Sequence, residues 1–230
     1  MPIPHRRIKG KLHYTSDKEG RKGVERGRED FTITVHSDGR RTTRAYTEID
    51  DAPNVMRDVT LSLDRDWRPE DCFVRLSVGD RFVGSSWFRF TDTEAECEGY
   101  TVAEGRISQR YPLQGKLDAF GTHPIQADAW LMSIFDITRG PGIGLYTNVL
   151  LCSLDHRGAT GPMIMRHPLG VRLQYVGPDR ITVAAGTFDA LHYRIIETSE
   201  GDDTSNEPGK HPPYDLWCTP DERICLLAYV

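Results

Sequence analysis

Cys72-Phe-Val-Arg-Leu-Ser-Val-Gly-Asp-Arg-Phe-Val-Gly-Ser-Ser-Trp-Phe-Arg-Phe90 decides the fold class. Two strand-like runs, Cys72 to Val78 and Arg81 to Phe90, flank Gly79-Asp80, a two-residue hairpin signal. The same grammar extends upstream. Val55 to Leu63 alternates, with Val55, Val59, Leu61 and Leu63 on one side. Phe31 to His36 alternates too, and Ser37-Asp38-Gly39 turns the chain before Arg40 to Tyr46. Downstream, Ala95 to Val102 and Arg106 to Tyr111 meet around Glu104-Gly105. After residue 170 the pattern resumes in Val171–Val176, Ile181–Ala184, Thr187–Glu197, Tyr214–Cys218 and Ile224–Tyr229. Turn signals at Gly177-Pro178-Asp179, Ala185-Gly186 and Pro220-Asp221 separate these runs. About ten short strands at regular spacing imply a mainly β chain with a single curved antiparallel sheet, a half-barrel or open barrel.

One segment breaks the pattern. After Gly121-Thr122-His123-Pro124, Ala127, Trp130, Leu131, Ile134 and Phe135 recur at helical spacing, and Arg139-Gly140-Pro141-Gly142 ends the run. Thr122 or His123 can cap, and Pro124 suits a first turn. Ala129 and Met132 carry the apolar surface round to another face, so a buried plug helix is expected near 124–137. The segment from Ser199 to Pro213 holds no apolar residue and is expected to be a mobile loop. No internal repeat or linker divides the chain, and 1–230 reads as one domain.

Composition narrows the function classes. With 230 residues, 38% hydrophobic and 27% charged, the chain is neither a coiled coil nor collagen-like nor wholly disordered. No apolar run reaches the ~18 residues of a membrane span, and no apolar stretch follows Met1 to Arg7. Cys72, Cys97, Cys152, Cys218 and Cys225 form no C-x-x-C pair and read as reduced thiols of a cytoplasmic protein. Residues 1–44 carry 12 Lys/Arg against 6 Asp/Glu, while 45–230 carry 17 against 28. Residues 1–28 therefore form a basic arm, partly flexible. Acidic residues interrupt it and the acidic remainder repels polyanions, so no nucleic-acid partner is expected.

The stretch Val183-Ala-Ala-Gly-Thr-Phe-Asp-Ala-Leu-His-Tyr-Arg194, with Tyr214-Asp-Leu-Trp-Cys-Thr-Pro-Asp-Glu-Arg223, carries a family resemblance. It resembles the carboxy-terminal hairpin of uncharacterised bacterial proteins with a LolA-like half-barrel. That architecture is shared by periplasmic lipoprotein carriers and by VioE, a cofactor-free enzyme of violacein biosynthesis. The resemblance implies a half-barrel and leaves carrier and enzyme both open. Fold alone does not choose.

Common catalytic signatures are missing from the sequence: H-E-x-x-H, a zinc-spaced Cys/His cluster and G-x-S-x-G. Gly140-Pro-Gly-Ile-Gly144 lacks the Lys-Ser/Thr ending of a phosphate loop and reads as a helix stop. No cofactor and no metal are expected. Acid–base chemistry remains, with His123, Asp128 and His156 as catalytic candidates. Each has a duller reading: His123 as a cap, Asp128 as a carboxylate paired inside the fold, and His156 as a turn histidine in water. Trp87, Arg89, Tyr100, Trp130 and Tyr193 are the substrate-binding candidates. Trp87, Arg89 and Tyr100 line a pocket if their sheet face is concave and are surface pairs if it is convex. Trp130 serves the core before any ligand. Tyr193 shares a face with Leu191 and Ile195, and His192 lies on the other.

The resulting expectation is a cofactor-independent cytoplasmic lyase, isomerase or cyclisation enzyme acting on a small aromatic metabolite. The alternative is a carrier or binding protein for a hydrophobic small molecule. A homodimer is compatible with the uncovered edges of an open sheet.

Overall fold

The computed structural model describes residues 4–166, 170–196 and 214–229. The expected loop at 199–213 lies outside the described residues. Eight strands come first: β1 (Arg6–Thr15), β2 (Glu25–Val35), β3 (Arg41–Ile49), β4 (Val55–Leu63), β5 (Pro69–Val78), β6 (Arg81–Phe90), β7 (Glu94–Thr101) and β8 (Gly105–Pro112). They form one antiparallel sheet in sequence order, with β1 and β8 left as edges, so the sheet is open. Next come β9 (Ala119–Gly121), α1 (Ile125–Leu131), β10 (Gly142–Tyr146) and β11 (Val149–Leu151). The chain closes with β12 (Val171–Val183), β13 (Gly186–Ile196), β14 (Tyr214–Cys218) and β15 (Cys225–Tyr229). These pack with β10 in the order β10-β12-β13-β14-β15, and β9 pairs with β11 in parallel.

The mainly β architecture with an open antiparallel sheet and one buried helix is therefore present. Its strands divide between two larger sheets where one was expected. The basic arm supplies β1 and the start of β2. At the β5–β6 turn, Gly79 and Asp80 both take left-handed backbone, with φ of 58° and 59°, which suits the twist of a tight hairpin. At Gly177-Pro178 the expected turn is instead a bulge inside the long strand β12, with Gly177 at φ 142°. A bulge tolerates a proline that cannot donate to the ladder.

The helix is shorter than its sequence pattern. It ends at Leu131, continues as a 3-10 turn over Met132–Ile134, and the chain is extended at Phe135. This exit lets the Phe135 ring sit 5.7 Å from Tyr175 and 6.5 Å from Tyr193. Packing against the second sheet thus overrides the local period.

Two apolar clusters fill the molecule, and α1 feeds both. Ala127 and Trp130 join Phe31, Ile33, Leu61, Val74 and Phe88 beneath the eight-stranded sheet. Ala129, Leu131 and Met132 join Leu173, Tyr175, Tyr193 and Leu216 against the five-stranded one. This explains why apolar residues run round the helix. No helix of the described residues is long and apolar enough to cross a membrane.

Candidate acid–base site

Inward positions of β2 read Glu29, Phe31 and Ile33, so a carboxylate stands where the alternation calls for an apolar group. Glu29 is fully buried, and its neighbours explain why. Its Oε2 accepts from the Tyr14 hydroxyl at 2.6 Å and from the Ile125 amide at 2.7 Å, and its Oε1 accepts from the Gln126 amide at 3.0 Å. Those two amides open α1. Thr122 and His123 were the expected caps, yet a strand carboxylate satisfies the free N–H groups. Pro124 takes the N-cap position without a side-chain bond.

Asp128 lies in the first turn of α1, on the side facing β14. Its Oδ2 accepts from the Tyr214 hydroxyl at 2.6 Å. Two tyrosine–carboxyl pairs therefore flank the start of one helix, Tyr14–Glu29 and Tyr214–Asp128. Burial pushes the Asp128 carboxyl up to about 7 against the lowering hydrogen bond from Tyr214. Burial also raises Glu29 to about 7, opposed by Tyr14 and the two amides and helped by the charge of Asp128. Burial raises both phenols well above their ordinary value, and the neighbouring carboxylates add to it. Glu29 is sealed, whereas Asp128 keeps part of its surface in contact with solvent.

The helix is sewn to the last hairpin. Gln126 donates through Nε2 to the Arg223 carbonyl at 2.9 Å and accepts through Oε1 from the Cys225 amide at 2.9 Å. The Trp130 indole donates to the Glu222 carbonyl at 3.0 Å. The Glu222 carboxylate in turn receives Arg6 at 2.6 Å and Arg41 at 2.8 Å.

The other predicted site residues are spread over the molecule. His123 precedes the helix in left-handed backbone with φ 75°, beside the acid pair in sequence. His156 is exposed on the turn from Asp155 to Gly158. That turn contacts β4, through the Gly158 carbonyl to Arg57 and through Arg157 to the Ala52 carbonyl. Trp87 and Tyr100 are 41% and 52% exposed and alternate with buried residues, so they and Arg89 occupy the outer face of the sheet. Their neighbours there are surface ion pairs such as Arg89–Glu96 and Arg110–Glu98, and they share no site with Asp128. Trp130 is core, its ring edge-on to Trp67 at 6.1 Å. Tyr193 is buried against Tyr175 at 5.1 Å. His192, on the opposite face, stacks on Trp217 at 4.1 Å and contacts Asp215 at 2.6 Å.

Glu29, Tyr14, Tyr214 and Gln126 were missed by sequence reasoning. A signal existed for one of them, since Glu29 is two residues before Phe31 in an alternating run. Arg57 carries the same signal between Val55 and Val59; it is buried and donates to the Thr122 and Gly158 carbonyls and to the Cys152 thiol. Among the described residues no group of three His, Cys, Asp or Glu side chains stands ready to hold a metal ion.

No protein-family model matches the chain, and no curated protein does. Among solved structures, it is similar to a β-barrel-like protein of the domain of unknown function DUF1849 from Brucella abortus. The identity is 13% and the TM-score 0.48, over 99% of this chain and 89% of that one.

Proposed function

We propose that this chain is a cofactor-independent enzyme that moves protons on a small aromatic metabolite, in a lyase, isomerase or cyclisation step. The observation that carries the reading is the Tyr214–Asp128 hydrogen bond of 2.6 Å at the start of α1, with the carboxyl pushed up to about 7 by burial on a residue that is only half-buried as a whole. A carboxyl in that range exchanges protons in both directions near neutral pH. Asp128 is the acid–base group in this reading. Tyr214 donates its one hydroxyl proton to Oδ2 and so fixes the position of the carboxyl. Tyr14 and Glu29 anchor the helix turn, and burial keeps Asp128 protonated at mild acidity.

The carrier reading has less support. The apolar gap between Leu61, Leu63, Trp67, Phe120, Ala127 and Trp130 is about 10 Å³, room for roughly one water. The five cysteines are buried and free, which fits the cytoplasm. Edge strand β10 leaves Ile143 and Leu145 63% and 55% exposed and is the segment that a homodimer would cover.

The test is turnover of a panel of aromatic metabolites, with chelator present and no cofactor added, followed by mass spectrometry. Asp128→Asn should cost roughly 100-fold or more in kcat, the usual scale of a lost acid–base group. Tyr214→Phe should retain part of the activity. Full activity in Asp128→Asn on any substrate that the wild-type protein converts would remove the assignment.

A further inference from the structure

Cys218 and Cys225 are register partners across β14 and β15, on the turn side of a register shift between Trp217 and Cys218, and both are buried, 0% and 4% exposed. The Thr219 amide donates to the Ile224 carbonyl at 2.9 Å, one step nearer the turn. The Cys225 amide is used elsewhere, on Gln126. These two bonds make Cys218 and Cys225 a non-hydrogen-bonded pair of the ladder. In such a pair of a regular ladder the Cα atoms stand about 4.5 Å apart and the side chains are at their closest. That separation lies inside the range of about 4.4–6.8 Å that a disulfide spans. The other thiols are placed differently. Cys72 and Cys97 share a row of the large sheet but flank Phe88, two strand spacings or roughly 9–10 Å apart. Cys152 accepts from Arg57 at 3.2 Å.

We propose that Cys218 and Cys225 form a reversible cross-strand disulfide, a redox modification site that takes a low-molecular-weight disulfide as its oxidant. One cysteine, as thiolate, attacks the oxidant, giving a mixed disulfide and releasing one small thiol. The second cysteine then attacks the protein sulfur of that mixed disulfide. The protein S–S bond forms, the second small thiol leaves, and the two cysteine protons end on the two released thiols. The protein pair is oxidised by two electrons and the small disulfide is reduced by two. Burial raises both thiols, so the closed fold holds them unreactive. β15 is an edge strand of its sheet, and its local opening is the event that admits the oxidant.

The bridge would close the turn from Thr219 to Ile224. That turn carries the Glu222 carbonyl held by Trp130 and the Arg223 carbonyl held by Gln126. Oxidation therefore staples the segment that seats α1. This inference is independent of any catalytic role for Asp128.

The experiment uses the full wild-type chain, purified reduced and incubated with oxidised glutathione, then alkylated in denaturant and weighed intact. The expected result is loss of two of the five alkylatable thiols, with peptide mapping placing the bridge between Cys218 and Cys225. Cys225→Ala should then form no internal bridge. Five alkylated thiols, a glutathione adduct that never closes, or a bridge between other cysteines would each overturn the proposal. The wild-type measurement decides the matter even where the variant folds poorly.

Discussion

The Glu29 and Asp128 carboxyls, both raised to about 7, make a statement about stability as well as chemistry. Their folded values lie above the ordinary carboxylate range near 4, so between about pH 4 and 7 the native state binds more protons than the unfolded one. The sign follows: stability is greatest at the acid end of that window and falls as pH rises to about 7. The slope is at most about 1.4 kcal/mol per pH unit for each group. Other carboxylates oppose this only in stronger acid. Asp38, held low by Arg40, and Asp179, held low by the Trp217 indole, lose their contribution as they protonate below their ordinary value. Urea midpoints should therefore be higher at pH 5 than at pH 7.5, and Asp128→Asn should flatten that difference. An unchanged pH dependence in Asp128→Asn would mean that this carboxyl is ionised throughout. Glu29→Ala removes the acceptor of two helix amides and a phenol. It should cost about 2–4 kcal/mol by chemical denaturation, as expected for several buried donors left without partners.

At the scale of elements, the strands were legible because each needs only local alternation and a turn. Gly79-Asp80 and the run from Val55 to Leu63 announce themselves in the sequence, and both appear in the fold. The limits of α1 were less legible, since Phe135 leaves the helix to meet Tyr175 and Tyr193, residues distant in sequence. Strands β12 to β15 were legible in the same way, but their separation with β10 into a second sheet was not. β10 lies in a glycine-rich stretch, Gly142 to Tyr146, that has strand character only through pairing with β12. Asp128 could be chosen from sequence as a polar group on an apolar helix. Its partner Tyr214, 86 residues away, could not. Trp87, Arg89 and Tyr100 show the complementary limit, because period two assigns residues to a common face without saying which face is buried. Trp130 tests the helix as an element. Its indole packs on Trp67 and donates to Glu222, so Trp130→Ala should cost about 3–5 kcal/mol, the scale of a large buried aromatic. Trp130→Phe keeps most of the apolar surface and should cost clearly less in the same urea titration.

At the scale of the molecule, the question is whether two sheets with two apolar clusters unfold as one body. Three connections argue that they do. The helix puts Ala127 and Trp130 into one cluster and Ala129, Leu131 and Met132 into the other, so neither core closes without it. Glu29 of β2 holds the helix start from the large sheet, and Tyr214 of β14 holds Asp128 from the smaller one. Glu222, between β14 and β15, gathers Arg6 from β1 and Arg41 from β3 on one carboxylate, joining the chain's first strand to its last hairpin. A structure tied in this way should lose both sheets together. Far-UV circular dichroism and tryptophan fluorescence should give coincident urea transitions in the wild-type chain. Trp217→Phe removes the reporter on the smaller sheet and leaves Trp67, Trp87 and Trp130, and it should shift neither curve relative to the other. Glu222→Ala leaves two arginines without their shared partner and should lower stability by about 1–3 kcal/mol, moving the common midpoint down without splitting it. Two resolved transitions in the wild-type chain would show that the helix belongs to one sheet and merely touches the other. The acid pair would then straddle a boundary between two bodies.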